Sequence, residues 1–240
     1  IIHLASITHI PDCENDHLKC FDSNFRSLVS LLLSLKNKPS IINFSTSATY
    51  AKKNHKHKEN QTDLDPIDLY GLSKLFTENY LRYLCRYNNF SVINIKLANA
   101  VGPGETNEKL FGTILKQIQN NKKIIKLGNL SPKRDYIHVN DISFVIEKLI
   151  QRNLFKESSL YNLNLGTGHK PISVQELFNK INTVMNNSLK IKKDFKKVRT
   201  KDKERELLAL DVSKLKKLIP DYKPQKIDDW IQELVKKPNL

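Results

Sequence analysis

No apolar run in these 240 residues approaches the roughly 18 that a bilayer-spanning helix needs. The longest candidate, Leu28 to Leu35, is too short, carries serines at helical spacing and reads as a buried helix. Ile1-Ile2-His3-Leu4-Ala5 lacks the basic start and cleavage pattern of a signal peptide, and there is no initiator Met. Cysteine is scarce. Cys13, Cys20 and Cys85 are odd in number and without framework spacing, which argues against a disulfide scaffold and for a reducing compartment. Cys13 and Cys20 are expected to be ordinary structural thiols rather than metal ligands or redox sensors. Glycine is also scarce, and the 7 glycines nowhere form a Gly-x-x-Gly-x-x-Gly turn. Few of the 40 basic residues are arginines, so the net charge of +15 is a lysine excess. The run from Lys190 to Arg205 also contains acidic residues and reads as a solvated face rather than a nucleic-acid site. The summed field can still attract an anionic substrate.

What is present is ordinary for a globular chain: 39% hydrophobic and 27% charged residues, enough for one large domain or two interlocked smaller ones. Ile1 to His3 and Ile41 to Phe44 read as strands, with a helix between them from Asp22 to Leu35, capped by Asp22 or Ser23. Tyr50 to Asp68 is polar and reads as a surface loop; its His55 and His57 lack the neighbours of a metal site. A long helix follows from Leu69 to Tyr87, with apolar positions at Leu72, Leu75, Phe76, Tyr80, Leu81 and Leu84. Ser91 to Leu97 is a strand ended by Gly102-Pro103-Gly104. Further helices are expected at Lys109 to Asn120, Val139 to Gln151, Ser173 to Asn186, Val212 to Leu218 and Lys226 to Lys236, with strands at Ile124 to Leu127 and Leu160 to Leu163. Alternation of strand and helix over the first hundred residues implies a parallel α/β sheet with ligands at the carboxyl ends of its strands. The clusters Ser45 to Ser47 and Asn99 to Gly104 fall at such ends.

Tyr70 and Lys74 form a Tyr-x-x-x-Lys on the long helix. Residues four apart share a helical face, so the ammonium can sit near the phenol and lower its pKa from about 10. Tyr70 then becomes usable as a general acid or base. Ser47, at a neighbouring strand end, can supply a hydroxyl that orients a substrate oxygen. By itself the pair is also compatible with a surface lysine beside a half-buried tyrosine.

The order of motifs goes further: His3-Leu4-Ala5, Asn24, Ser45 to Tyr50, Tyr70 to Lys74 with Glu78, Asn99, Gly102-Pro103-Gly104, Arg134 to Val139 with Asp141, Tyr161-Asn162, Gly166-Thr167-Gly168, and Asp211 with Ser213-Lys214. Together they resemble the NAD-dependent epimerase/dehydratase family of extended short-chain dehydrogenases, over essentially the whole chain. The resemblance implies a Rossmann-type doubly wound parallel sheet with a smaller α/β substrate-binding domain. Residues 1–103 and 139–165 would form part of the dinucleotide-binding domain, and 104–138 and 166–240 the nucleotide-sugar-binding domain. It implies NAD or NADP as cofactor and a nucleotide sugar as substrate. Tyr70 would transfer the proton, Lys74 would serve as its pKa partner and bind the nicotinamide ribose, and Ser47 would be the catalytic hydroxyl, with Thr46 as the second choice. His3, Leu4, Ala5, Asn24 and Ser45 would line the dinucleotide. Asn99 and Arg134 would contact the nucleotide sugar, Arg134 through its diphosphate, with Arg199 as a further contact; an ion pair with Asp141 is the other reading of Arg134. No metal, nucleic acid or membrane is implied. A cytoplasmic homodimer through the helices Asp22 to Leu35 and Leu69 to Tyr87 is.

The chain departs from that family in three places. The glycine-rich turn is absent, so two βαβ units of about 30 residues each are expected to precede Ile1; a degenerate gene is the other explanation. Ala51 stands where the family has Gly, with one residue deleted before Tyr50, and Lys96 stands where it has Arg. Ala48-Thr49 replace the acidic pair of the 4,6-dehydratases, and Ala48 and Gly104 replace the Cys and His of the 3,5-epimerase/reductases. Hydride transfer at C4 remains, in a 4-epimerase or a 4-ketoreductase. A catalytically silent Rossmann-like binding protein is the alternative.

Overall fold

The computed structural model describes residues 1–105, 109–152 and 159–236. In chain order the first elements are β1 (Ile2–His3), α1 (Ile10–Asn15), α2 (His17–Phe21), α3 (Ser27–Ser34), β2 (Ile41–Thr46), α4 (Leu69–Asn88), β3 (Val92–Leu97) and β4 (Asn99–Val101). Then come α5 (Leu110–Gln119), β5 (Ile124–Leu127), β6 (Lys133–Arg134), β7 (Tyr136–His138), α6 (Val139–Gln151) and β8 (Leu160–Leu165). The chain continues through β9 (Ile172–Ser173), α7 (Val174–Val184), β10 (Lys190–Lys193), β11 (Leu207–Leu208), α8 (Ser213–Leu218) and α9 (Ile227–Lys236).

Strands β1, β2, β3 and β8 form one parallel sheet in that order. Alternate residues of a strand face opposite sides. Ile41 and Val92 therefore meet Leu28 and Leu32 of α3 and Leu81 and Leu84 of α4, while Ile42, Phe44, Ile93 and Ile95 meet Val145 and Leu149 of α6 and Leu215 of α8. Helices on both faces make the sheet doubly wound. A second apolar cluster joins α5, α7 and α9 with the β5–β10 pair and contains Phe111, Ile114, Leu177, Phe178, Ile181 and Trp230. Ser173 begins α7 with a reciprocal capping box to Glu176.

Most elements lie where the periodicity predicts, and the differences are physical. The segment before the first crossover helix is broken: Asp16, not Asp22 or Ser23, caps α2, and a π-turn at Asp22–Arg26 leads into α3. Cys13 and Cys20, read as independent thiols, are paired as a disulfide between α1 and α2. Cys85 is free and buried. The loop after Tyr50 is anchored rather than wholly surface-borne. His57 is fully buried, stacks on the Tyr50 ring at 5.0 Å and exchanges backbone hydrogen bonds with Ala209 and Asp211. Glu59 is also buried and accepts from the Asn164 amide at 2.7 Å.

Helix α4 departs most from its pattern. Its face toward the sheet carries Ser73, Lys74, Thr77 and Glu78 before Leu81, Leu84 and Cys85. Leu72 and Phe76, expected on the buried stripe, are exposed. The strands facing it change character in step. Along β2 that face runs Ile41, Asn43, Ser45, and along β3 it runs Val92, Asn94, Lys96. Tertiary contact with a polar strand edge has overridden the apolar periodicity of the helix. The middle rung is a ladder of polar side chains in register across the sheet, buried up to a half-buried Asn162: His3 to Asn43 at 3.1 Å, Asn43 to Asn94 at 2.8 Å and Asn94 to Asn162 at 3.0 Å. It satisfies polar groups that would otherwise each cost about 1–3 kcal/mol.

Candidate active site

The carboxyl end of β2 and the first turn of α4 meet in the candidate site. Asp68 caps α4 by accepting from the Gly71 amide at 2.7 Å. Gly71 has a steric reason to be glycine, because a Cβ there would lie 2.6 Å from the Ala48 carbonyl oxygen. The helix start therefore rests directly on the turn that follows β2, and this contact places Tyr70 over the strand end.

The hydroxyl that acts on the Tyr70 phenol is that of Thr46, the second choice of the sequence reading. The Thr46 Oγ also accepts from the Ala48 amide at 3.2 Å. Ser47 is buried at the head of a short 3-10 turn, Ser47–Thr49. Burial pushes Tyr70 up to about 12, against the hydrogen bond from Thr46, and the nearby Asp68 carboxylate adds to the rise. The expected depression by Lys74 is thus not a property of the protein alone.

Lys74 is 1% exposed and donates to the Phe44 carbonyl at 2.9 Å. Burial lowers its pKa to about 8, opposed by the negative charge of Glu78 and reinforced by the cation of Lys109. Beneath it lies a buried ionic pair that sequence reasoning missed. Lys96 and Glu78, 3% and 1% exposed, meet at 2.7 Å through both carboxylate oxygens. Ser45 Oγ donates to the same carboxylate, and Lys96 donates to Thr49 Oγ1 at 2.7 Å. The Lys96 ammonium also lies 4.8 Å from the centre of the Tyr50 ring. The readable signal was Lys96 itself, a charged residue inside a buried, mostly apolar strand.

The residues expected at a dinucleotide divide into two sets. Leu4 and Ala5 are exposed beyond the end of β1. His3, Asn24 and Ser45 are committed within the protein: His3 to Asn43, Ser45 to Glu78, and Asn24 to Ser73 Oγ and to the amide and carbonyl of Ile7. Asn24 thereby fixes the loop after β1 to α4. An ammonium has three N–H donors, so Lys74 at the strand ends suits the hydroxyls and amide of a dinucleotide's nicotinamide half. No glycine-rich turn that would cradle the pyrophosphate occurs in the sequence.

On the other side of the site, Arg134 is 15% exposed and pairs with Glu204 at 3.1 Å, not with Asp141. It also donates to the Arg205 carbonyl at 2.7 Å. Asp141 instead accepts from the Gln225 amide at 3.2 Å. Asn99 donates its amide to the Asp135 carbonyl at 3.1 Å, and Asp135 in turn is held by Thr167. Arg199 is exposed; its backbone carbonyl accepts from Asn129, and its charge is felt by Arg134 and Asp68. Arg134, Asp135, Tyr136, Thr167, His169 and Lys170 line a small open pocket on this face. No His, Cys, Asp and Glu group able to hold a metal occurs among the described residues.

The start of α4 thus brings Tyr70 to the end of β2 beside Thr46, with the buried Lys74 one turn on. Residues 1–164 match the profile described as the NAD dependent epimerase/dehydratase family. The chain belongs to that family. Its fold is accordingly Rossmann-like, and its relatives are NAD-dependent enzymes of nucleotide-sugar epimerisation, dehydration and reduction. The chain is 26% identical over 242 residues to a GDP-6-deoxy-D-talose 4-dehydrogenase of Aggregatibacter actinomycetemcomitans, covering 98% of this chain and 78% of that protein. It is 30% identical over 149 residues to a dTDP-4-dehydro-6-deoxyglucose reductase of Escherichia coli, covering 59% of this chain but only 46% of the reductase. Among solved structures, RMD from Pseudomonas aeruginosa complexed with NADPH superposes with a TM-score of 0.84 at 18% identity, covering 99% of this chain and 80% of that one. A UDP-N-acetylglucosamine 4-epimerase from Methanobrevibacter ruminantium superposes at 0.81 with 20% identity, covering 99% and 74%. At these identities the structures show the shared fold.

Proposed function

We propose that this chain carries the catalytic residues of an NAD(P)-dependent nucleotide-sugar oxidoreductase or epimerase that acts at C4. The observation that carries the reading is the seating of the start of α4 on the turn after β2, Gly71 against the Ala48 carbonyl, which sets Tyr70 beside Thr46 with Lys74 buried one helical turn away. A bound nicotinamide would supply or accept the hydride. Tyr70 moves the proton at the C4 oxygen, Thr46 orients that oxygen, and Ser47 is the neighbouring alternative. Lys74 holds positive charge beneath the phenol, and Leu4 and Ala5 offer an apolar surface to the dinucleotide. Ala48 and Thr49 offer no carboxylate next to the hydroxyl, so removal of water has no acid or base in that turn. The relatives named for a 4-dehydrogenase and a 4-dehydro-sugar reductase point the same way.

On the same reading, the doubly wound sheet takes the dinucleotide, and the cluster around α5, α7 and α9 forms a nucleotide-sugar domain. Asn99, Arg134 and Arg199 face the substrate diphosphate, with Arg134 exchanging its bond to Glu204 for phosphate oxygens. A cytoplasmic homodimer fits too. Leu33 of α3 and Phe76, Tyr83 and Tyr87 of α4 are exposed, beside the Phe21–Phe76 and Phe25–Tyr80 ring contacts.

The test uses the full-length protein with NAD, NADP and their reduced forms. The probes are UDP-, GDP- and dTDP-linked hexoses and their 4-keto-6-deoxy derivatives. The expected result is oxidation, reduction or inversion confined to C4. Loss of water from the sugar as the primary reaction would overturn the reading.

A further inference from the structure

Residues 199–211 run between the substrate-side strands and the catalytic turn and are stitched to both. On one edge, Leu207 and Leu208 pair with Lys133 and Arg134, Lys133 donates its amide to Glu206, and Glu204 takes Arg134 and Asn129. On the other edge, Lys52 donates to the Lys201 carbonyl, and His57 exchanges backbone hydrogen bonds with Ala209 and Asp211. At the centre, Arg205 crosses from this strap into the turn after β2. Its guanidinium donates to the Tyr50 carbonyl at 2.6 Å and to the Ala48 carbonyl at 3.0 Å.

Arg205 is 4% exposed, and among the described residues no carboxylate pairs with it directly; Asp65 and Asp68 act on it only through their fields. Its Nε finds no partner among the described residues. A buried charge with only carbonyl oxygens in hydrogen-bond contact is expensive, since removing an ion from water costs several kcal/mol after relaxation. Hydrophobic packing would hold the strap more cheaply. What the guanidinium alone supplies is a two-pronged hold on the carbonyls flanking Thr49.

The held carbonyl of Ala48 leads to the chemistry in three contacts. It is the oxygen on which Gly71 rests, beside Tyr70. The Ala48 amide donates to Thr46 Oγ at 3.2 Å, and Thr46 is the hydroxyl that acts on the Tyr70 phenol. The adjoining Glu204 holds Arg134, so one dipeptide touches both the substrate-side arginine and the catalytic turn.

We propose, resting on the site reading above, that Arg205 is a positioning residue that locks the Ala48–Tyr50 turn against α4 and so sets the Thr46 hydroxyl on Tyr70. Through Glu204 and Arg134 it transmits the seating of a substrate diphosphate to that hydroxyl. No local pattern announces it, because Arg205 lies in a lysine-rich run more than 150 residues from the carbonyls it holds.

The experiment compares Arg205→Gln, Thr46→Ala, the double variant and Tyr70→Phe in the full-length protein. Substrate is the nucleotide sugar turned over in the panel above, and amide exchange is followed in parallel. Arg205→Gln is expected to lower kcat by up to about 100-fold, the scale of an ångström-sized misplacement, while KM and dinucleotide affinity stay within about threefold. Its effect vanishes in the Thr46→Ala background, since both act through one hydroxyl. Amide exchange accelerates at 47–51 and not in α7 or α9. Wild-type kcat, multiplicative effects in the double variant, or faster exchange throughout the molecule would each overturn the proposal. If Tyr70→Phe and Thr46→Ala both turn over normally, the site reading itself fails. If they lose turnover while Arg205→Gln does not, only the role of Arg205 fails.

Discussion

Two packed regions of this molecule are built on opposite principles. The cluster of α5, α7 and α9 is an apolar core in which Leu177 and Ile181 are fully buried and the sequence period is the packing period. The Trp230 Nε1 and the Tyr136 hydroxyl, buried there, have no partner among the described residues. The interface of α4 with the sheet is graded. It is apolar at Ile41, Val92, Leu81 and Leu84, amide at Asn43 and Asn94, and ionic at Ser45, Lys96, Glu78 and Lys74. In that interface the polar groups are paired. The difference teaches that polarity was placed where the strands end and chemistry is possible, and that its desolvation cost is carried by the apolar end of the same helix.

The two regions should respond to mutation in opposite ways. Tyr70→Phe should have the largest effect, a loss of about 10²–10⁴ in kcat with stability unchanged, as kinetics and thermal melting together will show. A full retention of turnover would remove Tyr70 from the chemistry.

Next comes a matched pair. Glu78→Ala leaves the Lys96 ammonium buried without its partner and should destabilise by about 3–5 kcal/mol. Leu177→Ala opens a cavity and should cost about 2–5 kcal/mol. Denaturant melts measure both. Activity per folded molecule should fall only in the Glu78 variant; equal retention in both would make the ionic end a mere core.

Thr46→Ala should reduce kcat by about 100-fold, the lower end for losing an oriented donor, and Ser47→Ala far less. The reverse order would restore Ser47 as the working hydroxyl.

The smallest effect is a shift in pH dependence. Lys74 is charged below about pH 8 and neutral above it, because burial disfavours its cation. Activity that needs that charge should decline as pH rises through about 8. Glu78 opposes the depression, so Glu78→Gln should move this alkaline limb to lower pH. An unmoved limb would assign it to another group.

Much of the fold was legible because helices and strands here follow local period and punctuation. The α6 helix Val139–Gln151 and the β5 strand Ile124–Leu127 fall where their patterns end. Tyr70 and Lys74 were legible as a pair because four-residue spacing is a local property of one helix. The partners of these residues were not. That Thr46 acts on the phenol depended on how α4 meets the end of β2, and Glu204 in place of Asp141 beside Arg134 turned on the pairing of β6 with β11. The disulfide of Cys13 and Cys20 depended on how α1 meets α2.

By itself, then, the sequence determined the family, the parallel α/β order and which helix carries the tyrosine, since each rests on residues near one another in the chain. Tertiary structure alone decided that the inner face of α4 is polar, that His57 is buried beneath Tyr50, and that Arg205 grips the turn after β2. Those outcomes depend on which element each side chain meets, from the strand ends 18 to 33 residues from α4 to the carbonyls more than 150 residues from Arg205, and such meetings leave no period in the sequence to announce them.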